Sequence, residues 1–178
     1  VSGSHGKSTT TSLVALLLTA AKLDPTVIVG TKLREFGGKN FRAGKAEYLV
    51  IEADEWNRSF HNYFPKIIVL TNIDKEHLDT YGTYAGVVGG FRKYVLHLPP
   101  DGVLVANWGD PGVKRIAEEV ERKKRARVVW YNRGKFPAHK LLIPGRHNQV
   151  NAEGAWQTAK LLGVTKHMAE KAFASFKG

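Results

Sequence analysis

Short runs of aliphatic and β-branched residues alternate along this chain with longer stretches of helical periodicity. "TVIVG" predicts a strand over 26–30. "EYLVIEAD" (47–54), "KIIVLTN" (66–72), "GVLVANW" (102–108) and "ARVVWYN" (126–132) predict four more. Leu13, Leu16, Leu17 and Ala20 recur at helical spacing and predict a helix from Lys7 to about Lys22. Further helices are predicted over 83–98, 111–124, 150–162 and 166–176, with Pro111 suited to a first helical position. Gly86, Gly89 and Gly90 weigh against the 83–98 helix. The segment 34–45 reads as an exposed hairpin or loop. Unbroken apolar strands alternating with helices predict an α/β fold: three layers, a mostly parallel sheet, and helices on both faces.

Composition narrows the class. The 178 residues suffice for one domain with a real core, and 43% hydrophobic residues exclude a disordered chain. Without cysteine there are no disulfides, thiolate metal sites or thiol chemistry, which fits a reducing, cytoplasmic setting. No apolar run approaches the ~20 residues that span a bilayer, so no membrane partner is expected. The net charge of +11 favours anionic ligands. Its densest run, "ERKKRARVV" over 121–129, reads as the solvated end of a helix. No nucleic-acid-binding motif accompanies it, and no nucleic-acid partner is expected.

The candidate chemistry begins at the first residues, "VSGSHGKSTT". In a parallel α/β sheet, ligands bind beyond the carboxyl ends of the strands. Gly3, Ser4, His5, Gly6, Lys7, Ser8 and Thr9 would form a loop running into a helix, whose first amides point at an anion. Glycine lets the backbone approach a phosphate, Lys7 can reach terminal phosphates as a point charge, and the Ser8 hydroxyl can ligate Mg2+. The usual phosphate-loop pattern has a further glycine five residues before Gly6, where this chain has Val1. The shorter pattern also fits a flexible lead-in to an ordinary helix.

Two acidic constellations fall at the same sheet edge. "VIEADEWNRSF" places Glu52 at a strand end, followed by Asp54 and Glu55. "VLTNIDKEHLDTYG" places Asp74, Glu76, His77 and Asp79 just past the next strand. Carboxylates with an imidazole can hold Mg2+ on phosphate oxygens, although each residue alone could be a surface ion pair or a locally bonded histidine. Farther on, Asn148 and Asn151 in "IPGRHNQVNAEGA" share one side of a helix start. Their amides could read adenine, or Asn148 could cap the helix.

"GSHGKSTT", "EADEWNRSF", "TNIDKEHLDTYG" and "PGRHNQVNA", in that order, resemble the central ATP-binding domain of the Mur ligases, the ATP-dependent amino-acid ligases of peptidoglycan synthesis. "EADE" and "LDTY" are nearest the alanine-adding subgroup; a relative that reuses murein tripeptide shares much of the pattern. The resemblance covers nearly the whole chain. It implies a single central domain over 1–178, with a UDP-sugar domain before it and a C-terminal domain after it in the full-length enzyme. It implies ATP and Mg2+ as cofactors and UDP-N-acetylmuramate and L-alanine as substrates. The muramate carboxylate would take the γ-phosphoryl group as an acyl phosphate, which the alanine amine then displaces. By the same resemblance Lys7, Glu52 and His77 are the catalytic set: Lys7 on the β- and γ-phosphates, Ser8 and Glu52 on one Mg2+, His77 on a second. Gly3–Thr9 would cradle the phosphates, and Asn148 and Asn151 would contact adenine. Glu76 and Asn57 stand where aspartate is common, and 133–142 is short where relatives carry extra strands. Folylpolyglutamate- or cyanophycin-type ligases and a nucleotide-binding module without turnover are the alternatives.

Overall fold

The computed structural model describes residues 1–133 and 141–178. These residues form two compact units. One holds 1–7 and 53–133, the other 8–52 and 141–178. The shortened 133–142 stretch lies mostly outside the described residues.

In the first unit the sheet is parallel. β4 (Ile67–Leu70), β5 (Val103–Asn107) and β6 (Arg127–Tyr131) lie in that order, in register from Ile67↔Val103↔Arg127 to Leu70↔Ala106. Ser2 makes a further parallel bridge to Leu70, so the first residues of the chain add a short edge beside β4. α2 (Leu78–Tyr81), α3 (Tyr84–Val95) and α4 (Pro111–Arg122) accompany this sheet. Leu70, Leu104 and Ala106 pack with Phe91, Val95, Val113, Ile116 and Ala117 from α3 and α4 in one core. Phe60 meets Phe91 edge-on at 5.3 Å and stacks on Tyr94 at 4.8 Å. Asp110 caps α4 by accepting from the Val113 amide at 2.8 Å, with Pro111 at the first helical position as expected.

The 83–98 helix forms as α3, bounded by a Thr83 cap that accepts from the Gly86 amide. Its glycines are used for packing. A Cβ at Gly86 would collide with the Tyr81 carbonyl, and one at Gly90 would sit 2.5 Å from the Tyr81 ring. The propensity cost is offset by the close approach of this aromatic residue.

The second unit holds α1 (Lys7–Ala20, from Ser8 onward), β1 (Thr26–Leu33), β2 (Lys39–Arg42), β3 (Leu49–Ile51), α5 (Arg146–Leu161) and α6 (Lys166–Phe173). α1 is buried on most sides, with Leu13, Val14, Leu17 and Leu18 at the core. β1 pairs with β3 in parallel and with β2 antiparallel. The 34–45 hairpin is therefore a short 3-10 turn at Arg34–Phe36 followed by an edge strand. β1 runs on to Leu33 because it has β2 to pair with beyond Gly30, whereas β3 is only three residues of the expected eight. α5 starts at Arg146 rather than Val150, with Gly145 as its left-handed cap at φ 104°. Asn148 is thus inside the first turn and does not cap the helix.

Both units have parallel strands accompanied by helices, and β2 is the one antiparallel strand among the described residues.

Candidate functional site

The loop of residues 2–7 is fastened to the exit of β4. The Ser2 amide donates to the Val69 carbonyl at 2.8 Å, and the Thr71 amide donates back to the Ser2 carbonyl at 3.0 Å. The Ser4 amide reaches the Asn72 carbonyl at 3.0 Å, and the Asp74 amide donates to Ser4 Oγ at 2.9 Å. Asn72 brackets His5, accepting from its amide and donating to its carbonyl, both at 2.8 Å. Gly3 has φ 140°, and a Cβ there would collide with Thr71 Oγ1. Glycine is required by both conformation and space. Gly6 also takes a positive φ, 77°, just before α1 begins at Lys7. The first amides of that helix have no intrahelical acceptor.

Lys7 turns back over this loop. Its Nζ donates to the Ser4 carbonyl at 3.2 Å and to Glu55 Oε2 at 2.9 Å. Glu55 is fully buried, and its other oxygen, Oε1, has no hydrogen-bond partner among the described residues. That oxygen lies 3.8 Å from His77 Nε2. Burial pushes the Glu55 carboxyl above the usual range, against the lowering pull of Lys7. His77 precedes α2 in a left-handed conformation, φ 53°, and its carbonyl accepts from the Thr80 and Tyr81 amides. Asp54, Glu55 and His77 offer ligand atoms that all lie within 4.8 Å of one another. His5 is exposed and meets Asp74 at 3.2 Å and Glu76 at 3.7 Å. The unusual Glu76 thus faces a histidine of the loop. Asp74 is held below the usual carboxylate range, first by the Lys75 amide and then by His5.

In the second unit, the Ser8 hydroxyl donates to Glu52 Oε1 at 2.9 Å, and the Gly30 amide donates to Oε2 at 2.6 Å. Thr9 follows on α1, half-buried. On α5, Asn151 is buried, while Asn148 Nδ2 donates to the Pro144 carbonyl at 2.6 Å. One amide of the expected adenine pair therefore also closes the turn before its own helix.

The predicted residues fall into defined groups. Gly3 to Lys7 share one unit with His77. Ser8 and Glu52 touch each other in the second, and Asn148 and Asn151 lie on its α5. Glu55 is one of the acids for which the sequence assigned no role, along with Asp54, Asp74, Glu76 and Asp79. "EADE" offers three carboxylates in four residues, and only the fold shows which one turns inward.

In the first unit a glycine loop anchored to a strand exit carries a lysine paired with a buried acid, and in the second a hydroxyl meets another acid. The chain belongs to the Mur ligase middle-domain family, whose description matches residues 1–140. It is 41% identical, over its full length, to a UDP-N-acetylmuramate–L-alanine ligase of Arthrobacter sp.. It covers 42% of that relative, so it spans less than half the length of the curated proteins it matches. Among solved structures, a UDP-N-acetylmuramate:L-alanyl-γ-D-glutamyl-meso-diaminopimelate ligase from Neisseria meningitides superposes with a TM-score of 0.86 at 25% identity, covering 99% of this chain and 64% of that one. A UDP-N-acetylmuramate–alanine ligase from Thermotoga maritima gives 0.80 at 23% identity, covering 99% of this chain and 44% of that one, and shows the shared fold. No helix among the described residues is long and apolar enough to cross a membrane.

Proposed function

We propose that this chain is the ATP- and Mg2+-binding central domain of a cytoplasmic ligase that joins L-alanine to UDP-N-acetylmuramate. The observation that carries the reading is the loop of residues 2–7, pinned to β4 with the Lys7 ammonium held across it. The residues fit the two cofactors. The amides that open α1 suit phosphate oxygens. Ser8 and Glu52 already touch, and both offer the oxygen ligands that Mg2+ prefers. His77 would serve a second Mg2+, and Asn148 and Asn151 the adenine.

ATP supplies the phosphoryl group that activates a carboxylate as an acyl phosphate. The chain's part would be to place and neutralise charge: Lys7 would meet the terminal phosphates, and Glu52 would help hold a cation. No side-chain nucleophile is needed. The sugar nucleotide and L-alanine would be bound chiefly by domains on either side of this one. A second reading, attachment of murein tripeptide instead of alanine, is favoured by the TM-score of 0.86 to a ligase of that type.

Calorimetric titration of the 178-residue chain tests the reading. Mg·ATP should bind, Lys7→Ala should weaken it more than about tenfold, and Lys124→Ala should leave it unchanged. Equal affinity in the Lys7 variant would overturn the assignment. Assays of the full-length enzyme with L-alanine against tripeptide separate the two ligase readings.

A further inference from the structure

The ion pair between Lys7 and Glu55 is more deeply placed than phosphate binding alone requires. The Lys7 side chain is 11% exposed and that of Glu55 is 0% exposed. A buried carboxylate is costly unless it is paired, so this one is retained against a penalty. Its backbone is clamped. The Tyr81 hydroxyl donates to the Glu55 carbonyl at 2.7 Å, and the Arg58 amide donates to the same carbonyl at 2.9 Å. Two consecutive residues after it, Asn57 and Arg58, take left-handed φ values of 50° and 58°. Strain of this kind persists where the surrounding structure over-determines it. The carboxylate then faces two site residues at once, Lys7 through Oε2 and His77 through Oε1.

A lysine has a flexible four-carbon stem and would sample many rotamers on an open glycine loop. Three N–H donors let one ammonium serve a carboxylate and a phosphate together.

We infer that Glu55 is a positioning residue: its buried carboxylate holds the Lys7 ammonium over the glycine loop, with His77 alongside, before nucleotide arrives. This rests on the triphosphate reading given above. Glu55 acts through Lys7, so its removal should be felt by terminal phosphates and not by the nucleoside.

The test is a double-mutant cycle on the 178-residue chain, read by calorimetry with Mg·ATP and with AMP. Glu55→Gln should weaken Mg·ATP binding about tenfold and change AMP binding less than about twofold. The double variant with Lys7→Ala should bind no more weakly than Lys7→Ala alone, because both changes act on one ammonium. Glu55→Asp keeps the charge one methylene shorter and should recover part of the loss, and it serves if Glu55→Gln does not fold. Additive losses, or unchanged Mg·ATP affinity in the Glu55 variants, would overturn the inference. So would Mn2+ binding to the nucleotide-free chain that is lost in Glu55→Gln but kept in Lys7→Ala, since Glu55 would then be a metal ligand. If the unsubstituted chain fails to bind Mg·ATP, the triphosphate reading falls as well. If it binds and the losses add, only the role of Glu55 falls.

Discussion

Two glutamates in the first unit live in opposite surroundings. Glu119 on α4 is partly open to solvent and sits between Lys123 and Arg92, whose hydrogen bonds, Lys123's first, pull its carboxyl from 4.5 down to about 2. Glu55 has one lysine, no exposure and, among the described residues, one oxygen without a hydrogen bond, and burial drives its carboxyl the other way. The better-paired acid is the less consequential one. Arg92 and Lys123 are half-exposed, so water and salt do most of what Glu119 does for them. The Lys7–Glu55 pair, by contrast, is held away from water, with side chains 11% and 0% exposed.

The largest effect that would break this contrast concerns stability. Glu55→Ala leaves the Lys7 ammonium without its buried counter-charge and should cost about 3–5 kcal/mol in urea unfolding. Glu119→Ala should cost under about 1 kcal/mol. Equal losses would remove the distinction. Next comes the loop that presents Lys7: Gly3→Ala must displace Thr71 at a disfavoured φ and should cost about 2 kcal/mol, seen in the same unfolding curves. Glu52 sharpens the comparison from the other side of the "EADE" run. Its partners are a hydroxyl and an amide, so Glu52→Gln should change stability by less than about 0.5 kcal/mol while weakening Mg2+-dependent ATP binding about tenfold, by calorimetry at varied Mg2+.

The smallest effect is in acid, and its sign separates the two residues. Glu119 binds its proton more weakly in the folded protein, so its contribution is complete above pH 4.5 and is lost as pH falls toward about 2. Glu119→Gln should flatten that part of the stability profile. Glu55 binds its proton more tightly when folded, so its carboxyl works against stability as pH rises above the ordinary carboxylate range. Glu55→Gln should flatten the profile there instead. Both are read from unfolding midpoints across pH 2–7.

Much of this was legible in residue order. Aliphatic runs marked β4, β5 and β6, Pro111 marked the start of α4, and glycines with Lys7 marked the loop, because each rests on local chemistry. What escaped depended on distant partners. β1 outran its prediction because β2 returns to pair with it, and α5 began early because Gly145 supplies a left-handed start. Glu55 could not be told from Asp54 until the turn at Asn57 and Arg58 put one carboxylate inside and left the other in water.

The glycines of α3 carry a consequence that reaches the site. They shape a trough for the Tyr81 ring, and the hydroxyl at the end of that ring tethers the carbonyl of Glu55. A methyl group added at Gly90 would meet the Tyr81 ring. It would lift the tyrosine like a pry bar under a hinge pin, and the first part to work loose would be the acid on which Lys7 rests.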